Sequence, residues 1–291
     1  MTHETILITG ATGTIGRELT KQLALLDGVR VRAGVHSVVK GENLKRLPHV
    51  EVVEMEFTKP ESLHAAFTHA DKVFMITPFT DNQVEMAKIL VDEAKRNGVK
   101  HLVKLSVLGA DNDQGIQIAE WHREVEDYIV QSGIPYTFLR PASFMQNFVH
   151  FNSKSIQQEN TIYIPIGDGK VSYIDSRDVA AVGVEVLTGT GHEGKTYDLT
   201  GSDALSVNEV ANIMSEVTGK PVRFVDVPEN AAKDAMEQEK VPEWMIAAIL
   251  ELNGAYKSGS GEYISDNVEA LTGRHPHTFR QFVSDYKDCF M

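Results

Sequence analysis

The chain has 291 residues, with 28 Lys+Arg against 41 Asp+Glu and a formal net charge of −13. At 42% hydrophobic and 24% charged it has the makeup of a folded chain, not a disordered one, and is long enough for one large domain or two smaller ones. The acidity disfavours a nucleic-acid or anionic-membrane surface, and no apolar run approaches the roughly 20 residues of a membrane-spanning helix. The single Cys289 excludes an internal disulfide framework and a cysteine metal cluster, so no metal site is expected. The N-terminus enters a strand at Thr5 with no basic segment before it, so nothing reads as a secretory signal and a cytoplasmic location is expected.

In chain order, Thr5 to Thr9 reads as an apolar strand, followed by helical spacing at Ile15, Leu19, Leu23 and Leu26. Val29 to Val35 and Val50 to Val53 are further strands. Thr58-Lys59-Pro60-Glu61 has the form of a capping box with Pro in the first turn, opening a helix to Phe67. Then come a strand Lys72 to Thr77, a helix Asn82 to Asn97 closed by Gly98, and a strand His101 to Ser106. A helix Ile116 to Ser132 closed by Gly133 and a strand Tyr136 to Leu139 complete this half. Such alternation predicts an α/β fold, a Rossmann-type doubly wound parallel sheet.

The remainder is less regular. Glu159 to Lys170 reads as a loop or short strands, and Asp175 to Asp178 caps a helix to Leu187. Lys195 to Leu199 is a strand, Ser206 to Glu209 is a second capping box, Pro221 to Val227 is a strand, and mostly helices follow, with an apolar run Trp244 to Leu250. The expected layout is a nucleotide-binding domain over 1–150, with 171–196 returning to it. Residues 151–170 and 197–291 then form a smaller α/β C-terminal domain.

The strongest motif follows the first strand. Thr9 to Gly16 places glycines at 10, 13 and 16, where the chain turns from strand to helix. The first allows the tight turn, the second lets backbone approach a pyrophosphate, and the third packs helix on strand. Gly10, Thr12, Gly13, Thr14, Ile15 and Gly16 are the expected phosphate contacts of a dinucleotide. After the second strand, Arg32 to Lys40 holds no carboxylate to take a ribose 2′-hydroxyl; His36, Ser37 and Lys40 favour a 2′-phosphate. The expected cofactor is NADP(H), with NAD(H) as the alternative.

With Thr9 to Gly16, the segments Phe74 to Pro78, Val103 to Ala110, Trp121 to Glu126, Pro135 to Asn147, Tyr173 to Ala180 and Tyr197 to Gly201 resemble the NmrA-like atypical short-chain dehydrogenases. Within that family they look nearest to the bacterial NAD(P)H:quinone and dye reductases. The resemblance spans nearly the whole chain and implies a substrate cleft between the two domains. It further implies that Glu56 and Phe57 lie near the adenine, Ile76, Thr77 and Pro78 near the ribose, and Ser106, Val107, Pro141, Ala142, Ser143 and Phe144 along the nicotinamide. The family usually carries Asp at position 56 and Arg at position 36, where this chain has Glu56 and His36.

Standard short-chain dehydrogenases use a Tyr four residues before a Lys; the resemblance puts Ile118 and His122 at those positions. Proton donation by that pair is therefore not expected. His122 is left to bind ribose or relay a proton, with Glu126 one turn on to orient its ring, and Ser106 beside the nicotinamide. Phe144, Asn147, Tyr163 and Trp244 are candidate substrate contacts, with Met245 beside Trp244; Gln146 reads rather as a loop hydrogen-bonder. His275-Pro276-His277 reads as an exposed loop. The expected activity is hydride transfer to a small-molecule quinone, dye or other electron-poor carbonyl or alkene, by a monomer or homodimer. The alternatives are an NAD(P)-binding redox sensor without turnover, and a biosynthetic imine or enone reductase.

Overall fold

The computed structural model describes residues 4–112 and 115–291. The chain divides into two compact units, one of Met1–Asp111, Glu120–Arg140 and Val179–Tyr197, the other of Asn112–Ala119, Pro141–Asp178 and Asp198–Met291. From the sequence the main division falls at 150, with the return at 171–196.

The first unit alternates β1 (Glu4–Ile8), α1 (Thr14–Leu23), β2 (Val29–Val35), β3 (Val50–Glu54), α2 (Pro60–Phe67), β4 (Lys72–Met75), α3 (Gln83–Arg96), β5 (His101–Leu105), α4 (Gln117–Ser132) and β6 (Tyr136–Pro141). Seven strands form one sheet, with a later strand at its edge, and the first six run β3-β2-β1-β4-β5-β6 in parallel pairs. The order reverses between β1 and β4, so their C-terminal ends flank the switch point where α/β sheets bind ligands. Leu7, Val73, Met75 and Leu102 of the strands pack with Leu63, Phe67, Leu90, Val91 and Ile129 of the helices in a buried core. This is the doubly wound fold expected from the alternation.

The start of α2 and the end of α1 are among the boundaries that differ from the sequence reading. The Thr58–Glu61 capping box does not form: Lys59 is the N-cap of α2 and makes no side-chain cap. The N–H of Thr58 is taken by Glu56, and Ser62 Oγ, in the first turn of α2, accepts from the Glu56 N–H at 2.9 Å, so Glu56 and Ser62 close this turn. Helix α1 ends at Leu23; Leu25 and Leu26 follow in a turn bonded to Gln22 and Leu23.

The second unit contains α5 (Ser153–Glu159), β7 (Thr161–Tyr163), β8 (Lys170–Val171), the start of α6 (Ser176–Thr188), the end of β9 (Lys195–Leu199), β10 (Leu205–Ser206), α7 (Val207–Thr218), β11 (Arg223–Val225), α8 (Glu229–Gln238), α9 (Glu243–Lys257), α10 (Asn267–Thr272) and α11 (Phe279–Asp285). Strand β9 is the seventh member of the large sheet. The Ser206 capping box forms in full, and Gly219 ends α7 in the left-handed conformation. Phe148, Tyr173 and Phe279 meet ring to ring in this unit's core. Among the described residues, no helix is long and apolar enough to cross a membrane.

Candidate functional site

The glycine loop lies at the switch point. Gly10 has φ +63°, a conformation that penalises any side chain. At Gly16 a Cβ would stand 2.4 Å from the Gly10 carbonyl oxygen and 2.9 Å from Ala11 Cα, so only glycine lets α1 start this close to the strand. Gly13 is the N-cap of α1 and has no side chain to occupy the first-turn N–H groups, which leaves an anion site at the positive end of the helix. Thr9 Oγ1 donates to the Ile76 carbonyl and accepts from the Ile76 N–H, both at 2.7 Å, tying the loops after β1 and β4 together. Ile15 turns its side chain into the core, so only its backbone is available to a ligand. Just beyond Thr77 and Pro78, the buried Gln83 Nε2 has no hydrogen-bond partner among the described residues and is a free donor at the start of α3. Sequence reading did not single out Gln83; a polar residue at an otherwise apolar helix face was the available signal.

At the end of β2, the exposed His36 places Nδ1 3.0 Å from Glu56 Oε2. The Thr58 N–H is the main influence holding the Glu56 carboxyl below its ordinary range, helped by His36 and Lys59. Lys40 is exposed on a short 3-10 turn two residues beyond Val38. Arg32 is spent elsewhere: its guanidinium donates to the Ala65, Ala66 and Thr68 carbonyls at the end of α2. His36 and Lys40 are therefore the basic side chains this loop offers, with the Glu56 carboxylate beside His36. Phe57 packs half-buried against the core.

At the end of β5 the hydrogen bonding differs from that expected. Glu126 does not orient His122. Its carboxylate receives the Ser106 hydroxyl and a two-pronged contact from Arg140, Nε at 3.1 Å and Nη2 at 2.6 Å. Burial works against the Arg140 charge, and Glu126 with Asp111, 2.7 Å away, outweighs it. The Ser106 hydroxyl donates its hydrogen bond to Glu126 and offers only lone pairs to a neighbour. Val107 is half-buried in the turn that follows.

The partner of His122 is Lys104, whose Nζ lies 2.8 Å from His122 Nδ1 and 3.0 Å from the Leu105 carbonyl. Lys104 is 1% exposed. Burial pushes its ammonium down to about 7; Glu126 opposes this and Arg140 adds to it. Burial, then the Lys104 charge, holds His122 well below the usual imidazole range, so the ring is neutral. A charged lysine can only donate, which leaves Nδ1 the acceptor and puts the ring proton on Nε2.

In the second unit, Pro141 and Ala142 are buried and Ser143 and Phe144 half-buried at the end of β6. Ser143 gathers two partners: Asn147 Nδ2 at 3.3 Å and the Tyr256 hydroxyl. Burial pushes that phenol up to about 12. Tyr256 has no signal in the sequence reading, being more than a hundred residues from Ser143 in a stretch read only as mostly helical. Gln146 is structural, donating to Asp175 and accepting from the Ser176 N–H. Tyr163 donates to Glu159 at 2.7 Å from an exposed edge, and Trp244 is half-buried in the first turn of α9. His275 and His277 pair separately with Glu269 and Asp178. Among the described residues no group of three or more His, Cys, Asp or Glu side chains is placed to hold a metal.

The chain is 38% identical to an NAD(P)H azoreductase of Xenophilus azovorans, over 98% of this chain and 99% of that one. Among solved structures it is similar to the Citrobacter sp. triphenylmethane reductase complexed with NADP(H), with a TM-score of 0.86 and 30% identity over 96% of this chain and 99% of that one. It is similar also to the Escherichia coli NADPH-dependent quinone oxidoreductase complexed with NADPH, with a TM-score of 0.87 and 25% identity over 97% and 99%. The model of the NmrA-like family matches residues 2–283, and the chain belongs to that family.

Proposed function

We propose that the chain is an NAD(P)H-dependent reductase, with NADPH favoured, that passes a hydride to azo compounds, quinones, cationic dyes or related electron-poor carbonyl and alkene acceptors. The observation that carries this reading is the glycine cradle at the switch point, where Gly16 admits no Cβ and Gly13 leaves the helix N-terminus open. The similarity to an azoreductase, a triphenylmethane reductase and a quinone oxidoreductase supports the acceptor class.

The residues present fit a nicotinamide dinucleotide. Gly10, Thr12, Gly13, Thr14, Ile15 and Gly16 would hold the pyrophosphate through backbone N–H groups. Thr77 and Pro78 would border a ribose, with Gln83 a donor close by. Glu56 and Phe57 would border the adenine, and His36 and Lys40 would take a 2′-phosphate. Ser106, Val107, Pro141, Ala142, Ser143 and Phe144 would border the nicotinamide. When bound, that group supplies a hydride. We read the first unit as the cofactor-binding domain and the second as the substrate-side domain, with Phe144, Asn147, Tyr163 and Trp244 as substrate contacts.

Ile118 stands where a tyrosine proton donor is expected by resemblance, so acceptors that need no strong enzyme acid suit the chain. His122 offers a proton donor through Nε2. The test is cofactor consumption by the purified protein with NADPH or NADH and a panel of quinones, azo dyes, triphenylmethane dyes and enones. Acceptor-dependent oxidation supports a reductase, and the NADPH preference tests His36 and Lys40. Tight binding without turnover across the panel would overturn it in favour of a cofactor-sensing protein.

A further inference from the structure

We propose that Lys104 is a positioning residue and proton reserve for His122, fixing the imidazole with its proton on Nε2 and refilling Nδ1 when Nε2 gives that proton to a reduced acceptor. The refilling step rests on the reductase reading; the fixing of the tautomer does not.

Lys104 sits inside a parallel sheet, at a position where an apolar side chain of equal length would cost nothing to bury. A buried ammonium is expected to face a carboxylate. Here its hydrogen-bond partners are the Leu105 carbonyl and an imidazole nitrogen. The one carboxylate that acts on it, Glu126 of α4, is committed to Ser106 and Arg140. The charged and titratable groups facing Lys104 are thus His122 and Glu126 from α4 and Arg140 from β6. Its ammonium, pulled down to about 7, gains and loses its charge near neutral pH, where a surface lysine stays charged. Among the described residues His122 Nε2 has no hydrogen-bond partner, and the ring is half-buried, so the second nitrogen is open while the first is held.

A quinone or azo acceptor that has taken a hydride carries one negative charge and needs one proton. The Nε2–H bond breaks as the new O–H or N–H bond forms. An Nζ–H bond of Lys104 breaks as Nδ1–H forms, leaving a neutral amine and a neutral ring of the opposite tautomer. A proton from water at Nε2 then drives Nδ1–H back to Lys104 and restores the start. A triphenylmethane cation becomes neutral on taking a hydride and needs no proton.

The test compares the parent with Lys104→Met and Lys104→Arg. Nitrogen NMR of the imidazoles in the protein alone, assigned with His122→Asn, is expected to show His122 as the Nε2–H tautomer in the parent and in Lys104→Arg. In Lys104→Met that preference is expected to be lost, with titration moving up towards the ordinary range. An unchanged tautomer and titration in Lys104→Met would overturn the proposal. In turnover, the ratio of quinone to triphenylmethane dye rate is expected to fall at least tenfold in both variants, Arg being unable to release a proton. An equal loss on both acceptors would mark Lys104 as merely structural and overturn the proposal, as would no loss. If the parent reduces no acceptor, the reductase reading and with it the refilling step fall, while the NMR still decides the tautomer.

Discussion

Replacing Lys104 by Met is expected to stabilise the protein, and by more at pH 7 than at pH 10. The ammonium falls from its ordinary 10.5 to about 7 in the fold, a drop of about 3.5 pH units. At about 1.4 kcal/mol per unit this corresponds to ~5 kcal/mol of native-state penalty. Between pH 7 and 10.5 the unfolded chain keeps a proton that the folded chain has given up, so parental stability rises with pH across that window. Below pH 7 the whole penalty is present, and above 10.5 none is. Methionine has nearly the same length and does not titrate, but it forfeits the bonds to His122 Nδ1 and the Leu105 carbonyl, about 1 kcal/mol each. Replacing buried charged groups with apolar ones typically gains about 1–4 kcal/mol, so a gain of about 3 kcal/mol at pH 7, shrinking to within about 1 kcal/mol at pH 10, is the working figure. Urea unfolding of both proteins at pH 7, 8, 9 and 10 measures it. A difference that stays constant over that range, or a variant less stable than the parent at pH 7, would refute the burial argument.

Gly16→Ala is expected to abolish measurable NADPH binding and lower the melting temperature, because its Cβ must move about an ångström away from the Gly10 carbonyl; titration by cofactor fluorescence shows it. Gly98→Ala, with left-handed φ but open space, should cost only about 1 kcal/mol and leave binding unchanged. Glu126→Ala strands the buried Arg140 and Ser106 and is expected to cost about 3 kcal/mol, the remaining Asp111 contact limiting the loss; denaturant unfolding reads it. Lys40→Ala should weaken NADPH about tenfold and NADH less than twofold, measured by equilibrium titration at low salt.

Much of the first unit was legible. The run Val29 to Val35 is the observed β2, and the spacing of Gly10, Gly13 and Gly16 announced both the turn and the close helix. Ser206 and Glu209 gave a true capping box because both side chains were free to reciprocate; Thr58 and Glu61 had the same spacing, but Glu56 and Ser62 reached that turn first. Lys104 was hidden, since Val-Lys-Leu reads as alternation with an exposed lysine, and only the helix covering that face reveals its burial. Glu126 was misjudged because i+4 spacing establishes neighbours on one helix and says nothing of Arg140 on a strand, whose two-pronged contact is stronger. The Ser143–Tyr256 contact joins distant segments and no local pattern foretells it.

The proposed function requires direct hydride transfer on this chain from a nicotinamide to an acceptor. The most direct measurement uses NADPH deuterated at C4, each epimer separately, with a triphenylmethane dye whose reduced carbon holds a non-exchangeable hydrogen. One epimer is expected to deliver a single deuterium to that carbon, with one cofactor oxidised per dye reduced. NADPH bound without dye reduction, or reduced dye free of deuterium from either epimer, would contradict it.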